Sequence, residues 1–193
     1  MEETRPKGWY SRGYLPHFDG GQIPQFITAR LFDALPQNIL RRFQIELEHK
    51  DIENIEFEIR KQIEKFLDNG YGSCFLKDKN VGRMVADAIL FHADKKYKLI
   101  AWVVMPNHIH FLVVPSENVE LAEITHSIKS YTAKEANKFL KRTGKFWQAE
   151  SFDRYVRNYE HYIKTIDYIE NNPVKAGLCE DFRDWELSSA FRR

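Results

Sequence analysis

The sequence predicts an α+β fold with a mostly antiparallel sheet. Two apolar, β-branched runs, Leu99–Val104 and His108–Val114, are parted only by Met105-Pro106-Asn107, where Pro-Asn signals a turn. A shorter alternating stretch, Pro24–Leu31, stands well upstream, and helical periodicity fills the interval. The strand pair is followed by a long helical stretch, an aromatic extended stretch and a last helix. A chain of 193 residues can bury one sizeable core, and no internal repeat divides it.

Residues 1–22 mix turn formers with aromatics (Gly8-Trp9-Tyr10, Arg12-Gly13-Tyr14-Leu15-Pro16, Asp19-Gly20-Gly21), which predicts an irregular arm tacked to the body by its rings. From Gln37 the period becomes helical. Ile39, Leu40, Phe43 and Leu47 form one stripe, and Ile52, Ile55, Ile59, Ile63 and Phe66 a second that ends at Asn69-Gly70. Asp78–Lys95 predicts a third helix with Val81, Val85, Ala88 and Ile89 inward. Beyond the strand pair, Glu120–Arg142 carries Leu121, Ile124, Ile128 and Phe139 on one side. Phe146–Val156 is aromatic and extended. Tyr159–Asn172 is a helix that Pro173 should stop.

Composition is that of an ordinary globular protein, 43% hydrophobic and 30% charged. No apolar run reaches the length of a membrane span, and the charged start Met1-Glu2-Glu3-Thr4-Arg5 is no signal peptide. Cys74 and Cys179 lack metal-site spacing and read as free thiols of a reducing, cytoplasmic setting. The net charge of +1 conceals a local imbalance. Residues 46–68 hold eight acids against four bases, whereas residues 126–145 hold six bases against Glu135 alone. A polyanion would feel that basic face, although on charge alone a solvated helix side is the better account of such a run.

The chemistry concentrates at two places. On a strand, residues two apart share a face, so His108 and His110 project together from a buried sheet. Two neutral imidazoles fixed in this way form half of a divalent-metal site, although a histidine on a strand is commonly a hydrogen-bonded core residue. In the last helix, Tyr162, Ile163, Ile166 and Ile169 make the apolar side, while His161, Thr165, Tyr168 and Asn172 fall on a polar strip. Tyr168 and Asn172 are one turn apart and face the same way. In isolation they read as a surface phenol and a helix-capping amide. Opposite the histidines, the amide oxygen could complete a site for a hard ion and the phenol could act as a nucleophile.

Taken together, these stretches resemble the single-tyrosine HUH transposases, in particular the REP-associated tyrosine transposase branch of the insertion-sequence family. The resemblance is carried by Met105-Pro106-Asn107-His108-Ile109-His110, by Phe146-Trp147-Gln148, by Tyr168-Ile169-Glu170-Asn171-Asn172-Pro173-Val174-Lys175-Ala176-Gly177-Leu178, and at the start by Arg12-Gly13-Tyr14-Leu15-Pro16-His17-Phe18. It implies a ferredoxin-like or RRM-like antiparallel sheet with helices on one face, and residues 1–193 as one transposase domain. Residues 37–95 depart from that pattern, being longer and more helical than such a palm needs, and read as a helical insertion within the domain. The resemblance further implies that His108 and His110, with Asn172 as an oxygen donor, bind Mg²⁺ or Mn²⁺. Tyr168 would attack a phosphate of single-stranded or hairpin DNA, drawn from repeats near the gene, through a 5′-phosphotyrosine link. Tyr131, on the preceding helix, is the competing phenol, but it borders that helix's apolar stripe and suits packing.

On this reading Lys129, Lys134 and Lys138 contact the DNA backbone, and Trp147, Phe152 and Tyr155 are candidates to stack on bases or to pack in the core. A monomer or a homodimer would serve. Two other functions fit the same residues: a catalytically silent hairpin-DNA-binding protein, and a metal-dependent phosphodiester hydrolase in which Tyr168 is structural.

Overall fold

The computed structural model describes residues 8–11, 16–36, 38–39, 41–42, 45 and 61–192. A four-stranded antiparallel sheet lies at its centre. In chain order the described elements are β1 (Gly8–Ser11), β2 (Pro16–Asp19), β3 (Gln25–Arg30), α1 (Lys79–Phe91), β4 (Tyr97–Val104), β5 (His108–Pro115), α2 (Leu121–Phe139), β6 (Phe152–Tyr155) and α3 (Tyr159–Lys175). The sheet runs β4-β5-β3-β6. With α1 between β3 and β4, and α2 between β5 and β6, this is the split β-α-β-β-α-β arrangement of ferredoxin-like folds.

The alternation of each strand divides two cores. Ile27, Ala29 and Leu31 of the β3 segment, with Ile109, Phe111 and Val113 of β5 and Trp102 and Val104 of β4, face α1 and α2. Burying a Val, Leu, Ile or Phe side chain fully is worth about 1.5–3 kcal/mol, and this layer gathers many of them. The opposite face carries Phe26, Ala101, Val103 and Leu112, and there α3 packs through Ile169, with Tyr162, Ile166 and Tyr168 around it. Helices on one face therefore describe α1 and α2. The third helix lies across the other, because Ile169 and its neighbours need a second apolar surface.

Of the 37–95 span, α1 is the fold's own first crossover helix, so the part added to the ferredoxin-like pattern precedes Lys79. Asp78 starts α1 by accepting from Asn80 N and Val81 N. Residues 61–68 are helical, with Ile63 and Leu67 buried. The stripe positions Leu40, Phe43, Leu47, Ile52, Ile55 and Ile59 lie outside the described residues.

Three expectations are corrected. The arm expected to be irregular contains a hairpin, with Gly8 opposite Asp19 and Ser11 opposite Pro16. Strands of four residues are too short to show a period among turn formers. The hairpin covers the outer edge of β6, where Phe18 N donates to Asp153 Oδ2 at 2.8 Å. Asp19, 3% exposed, reaches α2 and accepts from Leu121 N at 3.3 Å, a cap that Glu120 does not supply.

Secondly, Pro173 does not stop α3, which runs to Lys175. Proline removes one helical hydrogen bond, but Ala176 N still donates to Asn172 O and Leu178 N to Pro173 O, so the turn closes. Asn172 is consequently an interior helical residue and not a cap. Thirdly, two apolar stripes are narrower than the periodicity predicts: Ile163 is 38% and Phe139 48% exposed, while Thr165 and Asn172 of the polar strip are buried. Helix α3 has rolled toward its polar side, and that roll delivers the strip to the sheet.

The far edge of the sheet is also covered. Val104 N donates to Leu187 O, and Trp185 Nε1 to Val104 O, so the C-terminal residues run beside β4. Among the described residues no helix is long and apolar enough to cross a membrane. Cys74 and Cys179 are free.

Candidate active site

The antiparallel register sets the site. Thr28 lies opposite His110 and Arg30 opposite His108, and these four side chains share the face on which α3 packs. His108 and His110 are 1% and 2% exposed, with ring centroids 4.6 Å apart. Tyr168 descends from α3 with its ring 5.3 Å from that of His110 and 5.9 Å, edge-on, from Phe26. Asn172, one turn further along the helix, is 1% exposed. The structure thus gathers His108, His110, Tyr168 and Asn172 from β5 and α3, residues that are up to 64 positions apart in the chain.

Asn107 decides which histidine nitrogen carries the proton. Its Nδ2 donates to the carbonyls of Leu67 at 3.2 Å and Tyr71 at 2.9 Å, so its Oδ1 must be the atom facing His108 Nδ1 at 2.7 Å. A carboxamide oxygen only accepts, so His108 holds its proton on Nδ1 and turns the Nε2 lone pair into the site. At His110, Nδ1 lies 2.8 Å from the Thr28 hydroxyl, which can accept in the same manner.

Burial pushes the His108 imidazole down to about 3, helped by the nearby charge of Arg30 and, more weakly, of Lys175; the Asn172 carboxamide pulls the other way. The ring is therefore neutral at physiological pH, the form that ligates metals. His108 Nε2 and both polar atoms of Asn172 are buried without a well-formed hydrogen bond among the described residues. Such buried polar atoms demand a partner, and two imidazole nitrogens with a carboxamide oxygen suit a divalent ion. Among the described residues no three His, Cys, Asp or Glu gather to hold one, so an oxygen from Asn172 is the donor that would complete the set.

One cation lies against the phenol ring and another beside His108. Lys175 Nζ lies 5.5 Å from the centre of the Tyr168 ring and pairs with Asp68 at 2.8 Å, joining α3 to the helical residues 61–68. Arg30, 2% exposed, is a buried charge that composition and periodicity could not place; only the register reveals it beside His108. Gln148 belongs to the Phe146-Trp147-Gln148 motif, and the sequence assigns it no role of its own. Phe32 N donates to Phe146 O and Gln148 N to Arg30 O on either side of the Leu31–Trp147 bridge, so Gln148 stands opposite Arg30. It is 5% exposed and both ends of its amide lack partners among the described residues.

The remaining candidates lie elsewhere. Lys129, Lys134 and Lys138 are on α2, which packs against the other face of the sheet. Lys134 and Lys138 are exposed, whereas Lys129 Nζ donates to Ala149 O at 2.8 Å and Ser151 Oγ at 3.3 Å. Tyr131 is 56% exposed on the same helix and so does not pack as its stripe suggested. Trp147 is a core residue whose Nε1 donates to Thr132 Oγ1 at 2.9 Å. Phe152 packs beside α3, and the Tyr155 ring lies 4.5 Å from that of Phe18.

Comparison with known proteins shows the family and the fold. A REP-associated tyrosine transposase of Escherichia coli (strain K12) is 29% identical over 102 residues, covering 51% of the chain and 58% of that protein. A relative from Haemophilus influenzae is 29% identical over 106 residues, 50% of the chain and 60% of the relative. The chain thus spans about three fifths of the length of the curated relatives it matches. A solved structure of a REP-associated tyrosine transposase bound to a REP hairpin shares the fold, with a TM-score of 0.55 and 22% identity over 95% of this chain and 82% of that one. The sequence model described as IS200-like transposase matches residues 75–172, which include both histidines, Tyr168 and Asn172. The chain belongs to the IS200-like transposase family.

Proposed function

We propose that this protein is a single-stranded DNA endonuclease and strand transferase, a transposase in which Tyr168 is the nucleophile. The observation that carries the reading is the approach of the Tyr168 ring to within 5.3 Å of His110, on the buried face shared with His108 and Asn172. Family membership and the relatives named as tyrosine transposases support it. It acts, in a cytoplasmic setting, on hairpin or single-stranded repeat DNA.

Tyr168 Oη attacks a backbone phosphorus. The bond from phosphorus to the 3′ oxygen breaks, the leaving strand takes up a proton as a free 3′-OH, and the phenol proton is released to solvent. The chain remains attached as a 5′-phosphotyrosine, which conserves the phosphodiester energy, so a second 3′-OH reverses the step and joins strands. A divalent ion, Mg²⁺ or Mn²⁺, held by His108, His110 and Asn172, would supply the Lewis acidity that offsets charge on the phosphate oxygens. His108 contributes a neutral nitrogen whose tautomer Asn107 sets, and α3 seats the phenol on the sheet through Ile169.

The test is incubation with labelled single-stranded hairpin oligonucleotides from repeats beside the gene, with Mn²⁺ or Mg²⁺, followed by a denaturing protein gel. A labelled band at the mass of protein plus oligonucleotide is expected, and Tyr168→Phe should lose it. Adduct formation by Tyr168→Phe would overturn the assignment of the nucleophile. Cleaved DNA with free ends and no adduct would indicate a hydrolase, and binding without either product a silent DNA-binding protein.

A further inference from the structure

A cavity of about 310 Å³ opens beside Tyr168, walled by Phe26 of β3, Arg154 of β6 and His161, Lys164 and Thr165 of α3. It lies where two features converge. Phe26 pairs with Leu112 on one side and Arg154 on the other, so the Arg154 side chain belongs to the same sheet face as His110. His161, Lys164 and Thr165 precede Tyr168 by seven, four and three positions, which at 3.6 residues per turn stacks them along the helix above it. The outer half of the polar strip, which the mechanism leaves unused, is the wall of this cavity.

Its chemistry is specific. Arg154 and Lys164 contribute cations to its lining, and Phe26 and Tyr168 contribute aromatic surface, their rings edge-to-face at 5.9 Å. Glu64, from the helical residues 61–68, adds an acceptor. Cations with an aromatic platform are what an unpaired nucleotide requires, and a carboxylate can accept from an exocyclic base amine. Lys164 is paired with Glu160, but both are over 70% exposed, so the pair is weak and can yield to a phosphate.

We infer that this cavity is a subsite for the unpaired nucleotide adjoining the phosphate that Tyr168 attacks, with Arg154 and Lys164 on its backbone phosphates. The inference rests on the transferase reading above and adds the route by which the strand reaches the phenol. It assigns the strand to the α3 face, whereas the basic residues of α2 lie on the other.

The experiment uses the full chain carrying Tyr168→Phe, so that no covalent product contributes. Fluorescence anisotropy would follow a labelled oligothymidine of about 12 nucleotides across a salt series. Arg154→Gln and Lys164→Gln should each weaken binding several-fold and flatten the dependence of log affinity on log salt by about 0.7. Lys164 is exposed, so its variant keeps the fold, and a thermal melt verifies Arg154→Gln. Wild-type affinity and slope in both folded variants would overturn the subsite. Adduct formation by the parent chain is scored separately. Adduct with unchanged slopes discards the subsite alone, while flattened slopes without any adduct keep the subsite and discard the transferase.

Discussion

Asn107 Oδ1 lies 2.7 Å from His108 Nδ1, while the other end of the same carboxamide holds the carbonyls of Leu67 and Tyr71. One buried side chain therefore links the segment before α1 to the candidate ligand set. Removing it as Asn107→Ala frees the His108 ring to rotate and to exchange tautomers, and leaves two carbonyls unsatisfied. Loss of such an outer partner typically lowers metal affinity about 10–100-fold. Titration calorimetry with Mn²⁺ on the folded variant should show that loss, and wild-type affinity would refute the role.

His108 also makes stability depend on pH. Its folded value, about 3, lies below the unfolded 6.5, so between these values the unfolded chain binds more protons. The contribution is fully present above pH 6.5 and is lost as pH falls toward 3. The slope from this group approaches about 1.4 kcal/mol per pH unit within the window. Because carboxylates titrate there too, the measurement is a difference: urea denaturation of wild type and His108→Gln at matched pH. Wild type should lose stability relative to His108→Gln as pH falls through this window. Parallel curves would mean that His108 does not titrate as its burial implies.

Much of this fold can be read from the sequence because its centre obeys local rules. Leu99–Val104 and His108–Val114 are long, β-branched and joined by a turn pair, so strand, register face and histidine alternation follow together. What escapes is set by tertiary contact. The hairpin Gly8–Ser11 with Pro16–Asp19 has too few residues for a period, and it forms against an edge that only the assembled sheet provides. Pro173 obeys a rule about hydrogen bonds, yet the helix passes it because the neighbouring carbonyls find other donors. Arg30 and Gln148 become visible only when β3 is laid between β5 and the residues before β6. The polar strip of α3 was legible as a strip, but its burial was not, since that requires the sheet beneath it.

Trp147 shows how packing settles an ambiguity that residue type leaves open. It is 6% exposed, and its indole N–H donates to Thr132 Oγ1 in the core under α2. Trp147→Phe removes that bond and leaves a partial void, which should cost about 1–3 kcal/mol in thermal or urea denaturation. Single-strand affinity measured under stabilising conditions should not change. A loss of affinity without a loss of stability would instead make Trp147 a base-stacking residue.

The three α2 lysines should separate into two groups. Lys129 is bonded to Ala149 O and Ser151 Oγ and so fixes the loop leading into β6, whereas Lys134 and Lys138 are exposed one turn apart on the same helix. Lys129→Met should lower stability by about 1 kcal/mol and loosen the 149–151 loop, seen as faster amide exchange there. Lys134→Gln and Lys138→Gln should leave stability within about 0.5 kcal/mol. If α2 meets the duplex of a hairpin, each of these two should reduce the salt slope of hairpin binding by about 0.9, the value for one phosphate of a double helix. Their effect on an unpaired strand should be small, because that strand is assigned to the opposite face of the sheet. Equal losses on hairpin and single strand would place both DNA segments on one surface, and no loss on either would leave these lysines as a solvated helix face.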